Sequence, residues 1–122
     1  NTDLAAIQAT IAASEADIVA LQELSFGVAR MAETELSESY PHQVLRPAPA
    51  DGLQSGVGVL SRFPLMEPSY NEAYRGQRFG LEVAGRRFEL VNVHFNVPFG
   101  EGRTSSLRNY DPALRDRQLA AL

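Results

Sequence analysis

FGLEVAGRRFELVNVHF, residues 79–95, carries the strongest local signal in the chain. Two β-rich runs flank Ala84-Gly85. A connection that short closes a hairpin, because a crossover between parallel strands needs a dozen residues or more. The second run is long, Arg86 to Phe95. One face carries Phe88, Leu90, Asn92 and His94, and the other carries Glu89, Val91, Val93 and Phe95. Apolar residues occur on both faces, which predicts a strand covered on both sides.

Upstream of the hairpin, SGVGVLSR (55–62) reads as a strand with glycines on one face, ended by Pro64. The glycines suit close sheet packing. As a dinucleotide fingerprint, Gly56-Val57-Gly58 is weak, since no helix opens after it. Residues 67–77 read as irregular. ADIVALQEL (16–24) holds a second apolar strand, residues 17–22, which reads as buried yet finishes on a carboxylate. A helix from Asp3 to Ser14, capped by Thr2, precedes it. A helix is expected within Gly27–Glu38, then a turn and short strand in YPHQVL (40–45), then a loop marked by Pro47, Pro49 and Gly52. Downstream, a Gly-rich loop spans Val97 to Tyr110. Asp111-Pro112 opens a last helix with Leu114, Leu119 and Leu122 on its apolar face. The order predicts a mixed α/β chain with antiparallel pairing.

Composition narrows the chemistry. The chain has 122 residues, 44% of them hydrophobic and 21% charged, as in an ordinary globular domain. It has no cysteine, which excludes disulfides, thiolate metal sites and cysteine nucleophiles. Its net charge of −4 lacks the basic excess of a tight non-specific nucleic-acid binder. No apolar run is long enough to span a bilayer.

Four polar residues stand at strand ends or on strands where chemistry is possible. Glu23 closes an apolar strand; a carboxylate there either reaches solvent or holds a hard cation such as magnesium, which takes one or two protein carboxylates and keeps several waters. His94 ends the long strand, with Asn92 on the same face; it reads either as a core histidine satisfied by a carbonyl or as a general acid facing a phosphate. Arg62, beyond a third strand, is either a surface cation or a bidentate phosphate ligand. His42, in Tyr40-Pro41-His42, carries a weaker signal. Three apolar strands ending in Gln22-Glu23, Arg62 and His94 point to one shared site, because sites gather at strand ends.

The stretches ADIVALQEL, YPHQ, GVGVLSRFPL, ELVNVHFNVP and RDRQLAAL resemble, in order and spacing, the endonuclease/exonuclease/phosphatase superfamily. The Gln-Glu strand ending and Asn-Val-His are the most specific. In the closing Arg-x-x-Gln-Leu-x-x-Leu the chain looks most like a bacterial branch whose members often carry membrane segments upstream. The resemblance implies a four-layer α/β sandwich, two packed sheets flanked by helices, and metal-dependent hydrolysis of phosphodiesters or phosphomonoesters. It implies that Glu23 is a ligand of Mg2+, with Mn2+ as the second choice, and that His94 is catalytic, beside the scissile phosphate. Asn92 and Arg62 would be substrate-binding. The substrate is a phosphoester; nucleic acid, phospholipid head group and inositol phosphate are not distinguished, and no protein partner is indicated.

Departures from the family pattern matter equally. The family's first strand, with its active-site Asn, would lie before Asn1, and Asn1 itself is assigned no role. Its Gly-Asp-x-Asn strand and closing Asp-His pair would lie after Leu122. The chain starts without Met and stops inside an amphipathic helix, so it is expected to be the N-terminal portion of one domain, inactive alone. The alternative is a non-catalytic binding or scaffold module that keeps the fold.

Overall fold

The hairpin forms as read. The computed structural model describes residues 3–49, 56–73, 75–95 and 112–121. In chain order the elements are α1 (Leu4–Ala13), β1 (Ile18–Gln22), α2 (Phe26–Glu35), β2 (His42–Arg46), β3 (Val57–Ser61), β4 (Met66–Asn71), β5 (Gly76–Val83), β6 (Arg86–Val93) and α3 (Pro112–Leu119). Val83 pairs with Arg86, and the antiparallel ladder runs to Gly76 opposite Val93. Ala84 and Gly85 both have positive φ, +52° and +74°. That is the type I′ geometry whose twist matches a hairpin.

Among the described residues two antiparallel three-stranded sheets result, ordered β1-β3-β2 and β4-β5-β6. In the first, Val19, Leu21, Leu45 and Leu60 face the helix pair, where they pack with Ile11, Leu24, Val28, Met31 and Tyr40. Val57 and Val59 point the other way, toward Phe79 and Leu81 of the second sheet, and all four are buried. The layering is therefore helices on sheet on sheet, a partial α/β sandwich. Gly58 serves the helix side: a Cβ there would lie 2.8 Å from both Leu24 Cδ2 and Leu45 Cδ2. At Gly56 a Cβ would lie 2.3 Å from the Leu24 carbonyl oxygen and 2.4 Å from the Ala48 nitrogen. Gly56 thus permits the close backbone approach expected of these glycines, whereas Gly58 makes room for side chains of the helix-side core.

Both helix starts are capped by side chains. Asp3 Oδ1 accepts from Ala6 N–H at 3.0 Å, so Asp3 caps α1, one residue later than the expected cap Thr2, which lies outside the described residues. Ser25 Oγ accepts from Val28 N–H at the start of α2.

Three expectations need correction. Residues 67–77 are not irregular throughout, since β4 occupies Met66–Asn71. A bulge between Met66 and Ser69 hides it from period-two reading: Glu67 takes φ +50°, and Pro68 follows without a donor. Nor is β6 covered on both sides. Phe88 is 52% exposed, and Val91, on the face turned away from the first sheet, is 37% exposed. The inner face of β6 overhangs a neighbour sheet built of shorter strands. Finally, β1 is only half-buried, since it is an edge. The helix at Pro112–Leu119 forms, with Leu119 49% exposed. The loop at 97–110, Asp111 and Leu122 lie outside the described residues.

Candidate functional site

β1 ends at Gln22, and Glu23 follows with φ +53°. A left-handed non-glycine residue is uncommon and strained. Its cause is geometric. Gln22 faces the second sheet, while Leu24, 1% exposed, belongs to the helix-side core. Residues two apart on a regular strand share a face. The left-handed turn at Glu23 reverses the alternation, and Leu24 is then anchored by Leu24 N–H to Gly56 O at 3.0 Å and Ala48 N–H to Leu24 O at 2.8 Å. Glu23 is expelled from both faces, and its side chain is 79% exposed. A core strand can end on a carboxylate because the carboxylate never enters the core.

His94 follows β6, and its Nε2 lies 3.9 Å from Glu23 Oε1. The ring is mostly enclosed, with the side chain 20% exposed. Its Nδ1 is buried and has no hydrogen-bond partner among the described residues, and Nε2 is the nitrogen turned to the carboxylate. The two residues come from different sheets, joined beneath the site by an amide network. Gln22 Nε2 donates to Asn92 Oδ1 at 2.7 Å. Asn92 Nδ2 lies 3.0 Å from Gly58 O, 3.2 Å from Leu21 O and 3.4 Å from Gln77 Oε1. Gln77 Nε2 donates to Val44 O at 3.1 Å. Gln77 and Asn92 are each 2% exposed.

Arg62 does not join them. β3 runs antiparallel to β1, so Arg62 meets Asp17 at the start of β1: Arg62 N–H donates to Asp17 O, and Arg62 Nη1 lies 3.1 Å from Asp17 Oδ1. Six residues of strand at about 3.3 Å each separate that end from Glu23, roughly 20 Å. The expected single site of three strand ends is corrected to two. His42 pairs with Ser61 and so belongs to the Arg62 end as well. Gln77 escaped sequence reading because it fell in the stretch taken as irregular. Its parity with Phe79 and Leu81 on the inner face was the available signal.

The model of the Endonuclease/Exonuclease/phosphatase family matches residues 1–122. The chain belongs to that family. No curated protein matches it. Among solved structures it is similar to a β-hairpin deletion mutant of beta toxin from Staphylococcus aureus, with a TM-score of 0.67 at 13% identity, over 97% of this chain and 50% of that one. At that identity the likeness is one of fold, and the chain spans half the length of the toxin chain.

Family members of this kind use divalent cations, and Glu23 fits such an ion as one ligand. It is an exposed carboxylate at a strand end, and a magnesium ion takes one or two protein carboxylates. It does not make a whole site: among the described residues no group of three or more His, Cys, Asp or Glu side chains stands together. Nor is any helix among them long and apolar enough to cross a membrane.

Proposed function

We propose that the complete protein carrying this chain hydrolyses a phosphoester with a divalent cation, magnesium or manganese, and that this chain supplies Glu23 as a cation ligand and His94 as the catalytic group at the phosphate. The observation that carries the proposal is the 3.9 Å approach of Glu23 and His94 from two different sheets. A bound cation would polarise a phosphoryl oxygen and stabilise the leaving group. Glu23 offers two carboxylate oxygens at an open strand end. His94 turns Nε2 to the same opening, where an imidazole can donate to a phosphate oxygen or protonate a leaving group. Substrate choice in such folds lies in loops, so nucleic acid, phospholipid head group and inositol phosphate all remain within the class.

A second reading is favoured by ligand count. The described residues bring one carboxylate and one imidazole together and no third ligating side chain. On that reading the protein is a non-catalytic binding or scaffold module that keeps the fold. The test is release of phosphate or mononucleotide from a mixed phosphoester panel, with magnesium, manganese or EDTA. EDTA-sensitive turnover is expected from the complete protein and none from residues 1–122. Turnover by the short chain would refute the division of labour, and none by the complete protein would leave the module reading.

A further inference from the structure

We infer that Asn92 is a positioning residue, which sets the separation of Glu23 and His94 by tying the end of β1 to the end of β6, and is not a substrate ligand. The inference rests on the reading of Glu23 and His94 as the functional pair.

An asparagine amide has two N–H donors and one acceptor oxygen. Here the oxygen takes the Gln22 side chain at 2.7 Å, and the nitrogen faces three acceptors, Gly58 O, Leu21 O and Gln77 Oε1. With 2% of the residue exposed, the amide has no free donor and no open face for a phosphate. Its partners are the informative part. Leu21 and Gln22 are the last two residues of β1, immediately before Glu23, and Asn92 stands two residues before His94. Gly58 belongs to the central strand between β1 and β2. One side chain thus bonds to both strands that bear on the Glu23 end and sits on the strand that carries His94.

The surroundings show why a polar group is used. Apolar side chains between two sheets stabilise burial without direction, and a sheet can slide over them with little change in area. A buried amide whose bonds must all be met allows one register. Gln77 extends the lock to β2 through Val44 O, so the second sheet is pinned to all three strands of the first. Glu23, with its side chain 79% exposed, has no comparable anchor among the described residues.

The test uses the complete protein with magnesium and a phosphoester from the panel above. Asn92→Leu removes the amide at similar volume, and Gln22→Leu removes only the 2.7 Å bond at a more exposed position. Displacing a reacting group by about 1 Å can lower a rate about 10²-fold, so Asn92→Leu is expected to lower kcat by about that factor with KM within about threefold. The double variant is expected to fall no further than Asn92→Leu, since the one bond that Gln22→Leu removes is already lost in Asn92→Leu. A second readout needs no turnover: nuclear Overhauser contacts between the Glu23 γ protons and the His94 ring should be present in the wild type, lost in Asn92→Leu and weakened in Gln22→Leu, which keeps the bonds of Asn92 to Leu21 O and Gly58 O. If Asn92→Leu does not fold, Gln22→Leu carries both arms. A rise of KM with kcat retained would make Asn92 a substrate ligand and overturn the inference. So would unchanged Overhauser contacts with unchanged kcat in the folded variants. Should the wild type hydrolyse nothing, the phosphoesterase reading falls, and the Overhauser comparison alone decides whether Asn92 holds the pair.

Discussion

Gln22 and Leu24 are two residues apart and point to opposite sides of the same sheet, one into an inter-sheet hydrogen bond and the other into the helix-side core. The residue between them takes the strain, with φ +53° at Glu23. A left-handed non-glycine residue is disfavoured by about 1–2 kcal/mol, and glycine escapes that penalty while losing more chain entropy on folding.

Glu23→Gly is therefore expected to hold or raise stability, by up to about 1 kcal/mol, while removing the carboxylate. Urea unfolding with an unchanged m value is the measurement. A loss of more than about 1 kcal/mol would show that the side chain stabilises the fold and that the strain account is wrong.

Glu23→Gln separates charge from shape. The variant is expected to fold as the wild type does, since the side chain is 79% exposed, and to lose its response to magnesium in the complete protein. Wild-type rate and wild-type magnesium dependence would remove Glu23 from the cation site.

For His94→Ala the expected loss is about 10² to 10⁴ in kcat, the usual worth of one positioned acid–base group. Thermal unfolding should move little beyond the effect of trimming a mostly enclosed ring. A kcat within threefold of wild type would leave the imidazole without a chemical role.

The hairpin offers a test of the turn alone. Ala84 holds φ +52° beside Gly85 at +74°, and Asn-Gly is the pair best suited to that turn. Ala84→Asn should stabilise by roughly 0.5–1 kcal/mol, read as a higher urea midpoint. No gain would mean that the turn relaxes to another type in solution.

Two glycines should differ in their tolerance of a methyl group. At Gly58 the added Cβ meets the tips of Leu24 and Leu45, which can shift, and overpacking of that kind typically costs about 1–3 kcal/mol. At Gly56 it meets backbone atoms of Leu24, Ala48 and Arg46 within 2.7 Å, and those atoms hold the strand ends together. Gly56→Ala is expected to be the more damaging by denaturant titration; the reverse order would contradict the packing described.

Sequence reading reached the features that local rules govern. The Ala84-Gly85 loop is too short for anything but a hairpin, and the apolar run ending in Gln22-Glu23 marks a strand whose last residue cannot enter a core. Five stretches from ADIVALQEL to RDRQLAAL resemble the family in order and spacing, and the match over residues 1–122 bears that resemblance out. Strand direction lay outside its reach. Arg62 and His94 both follow apolar strands, but β3 runs against β1, so Arg62 emerges beside Asp17 and only His94 arrives beside Glu23.

Burial lay outside it too, because exposure depends on neighbours. β6 has apolar residues on both faces and still leaves Phe88 and Val91 open, while Asn92 and Gln77, polar by composition, are the ones enclosed. The sequence by itself determined the hairpin and the strands of regular period, though not the bulged β4, and which residues carry charge, since chain stiffness, turn geometry and side-chain chemistry act within a few residues. The approach of Glu23 to His94 belongs to the tertiary structure alone, because it requires two sheets to lock in one register, and the amides that lock them meet only across 70 residues of chain.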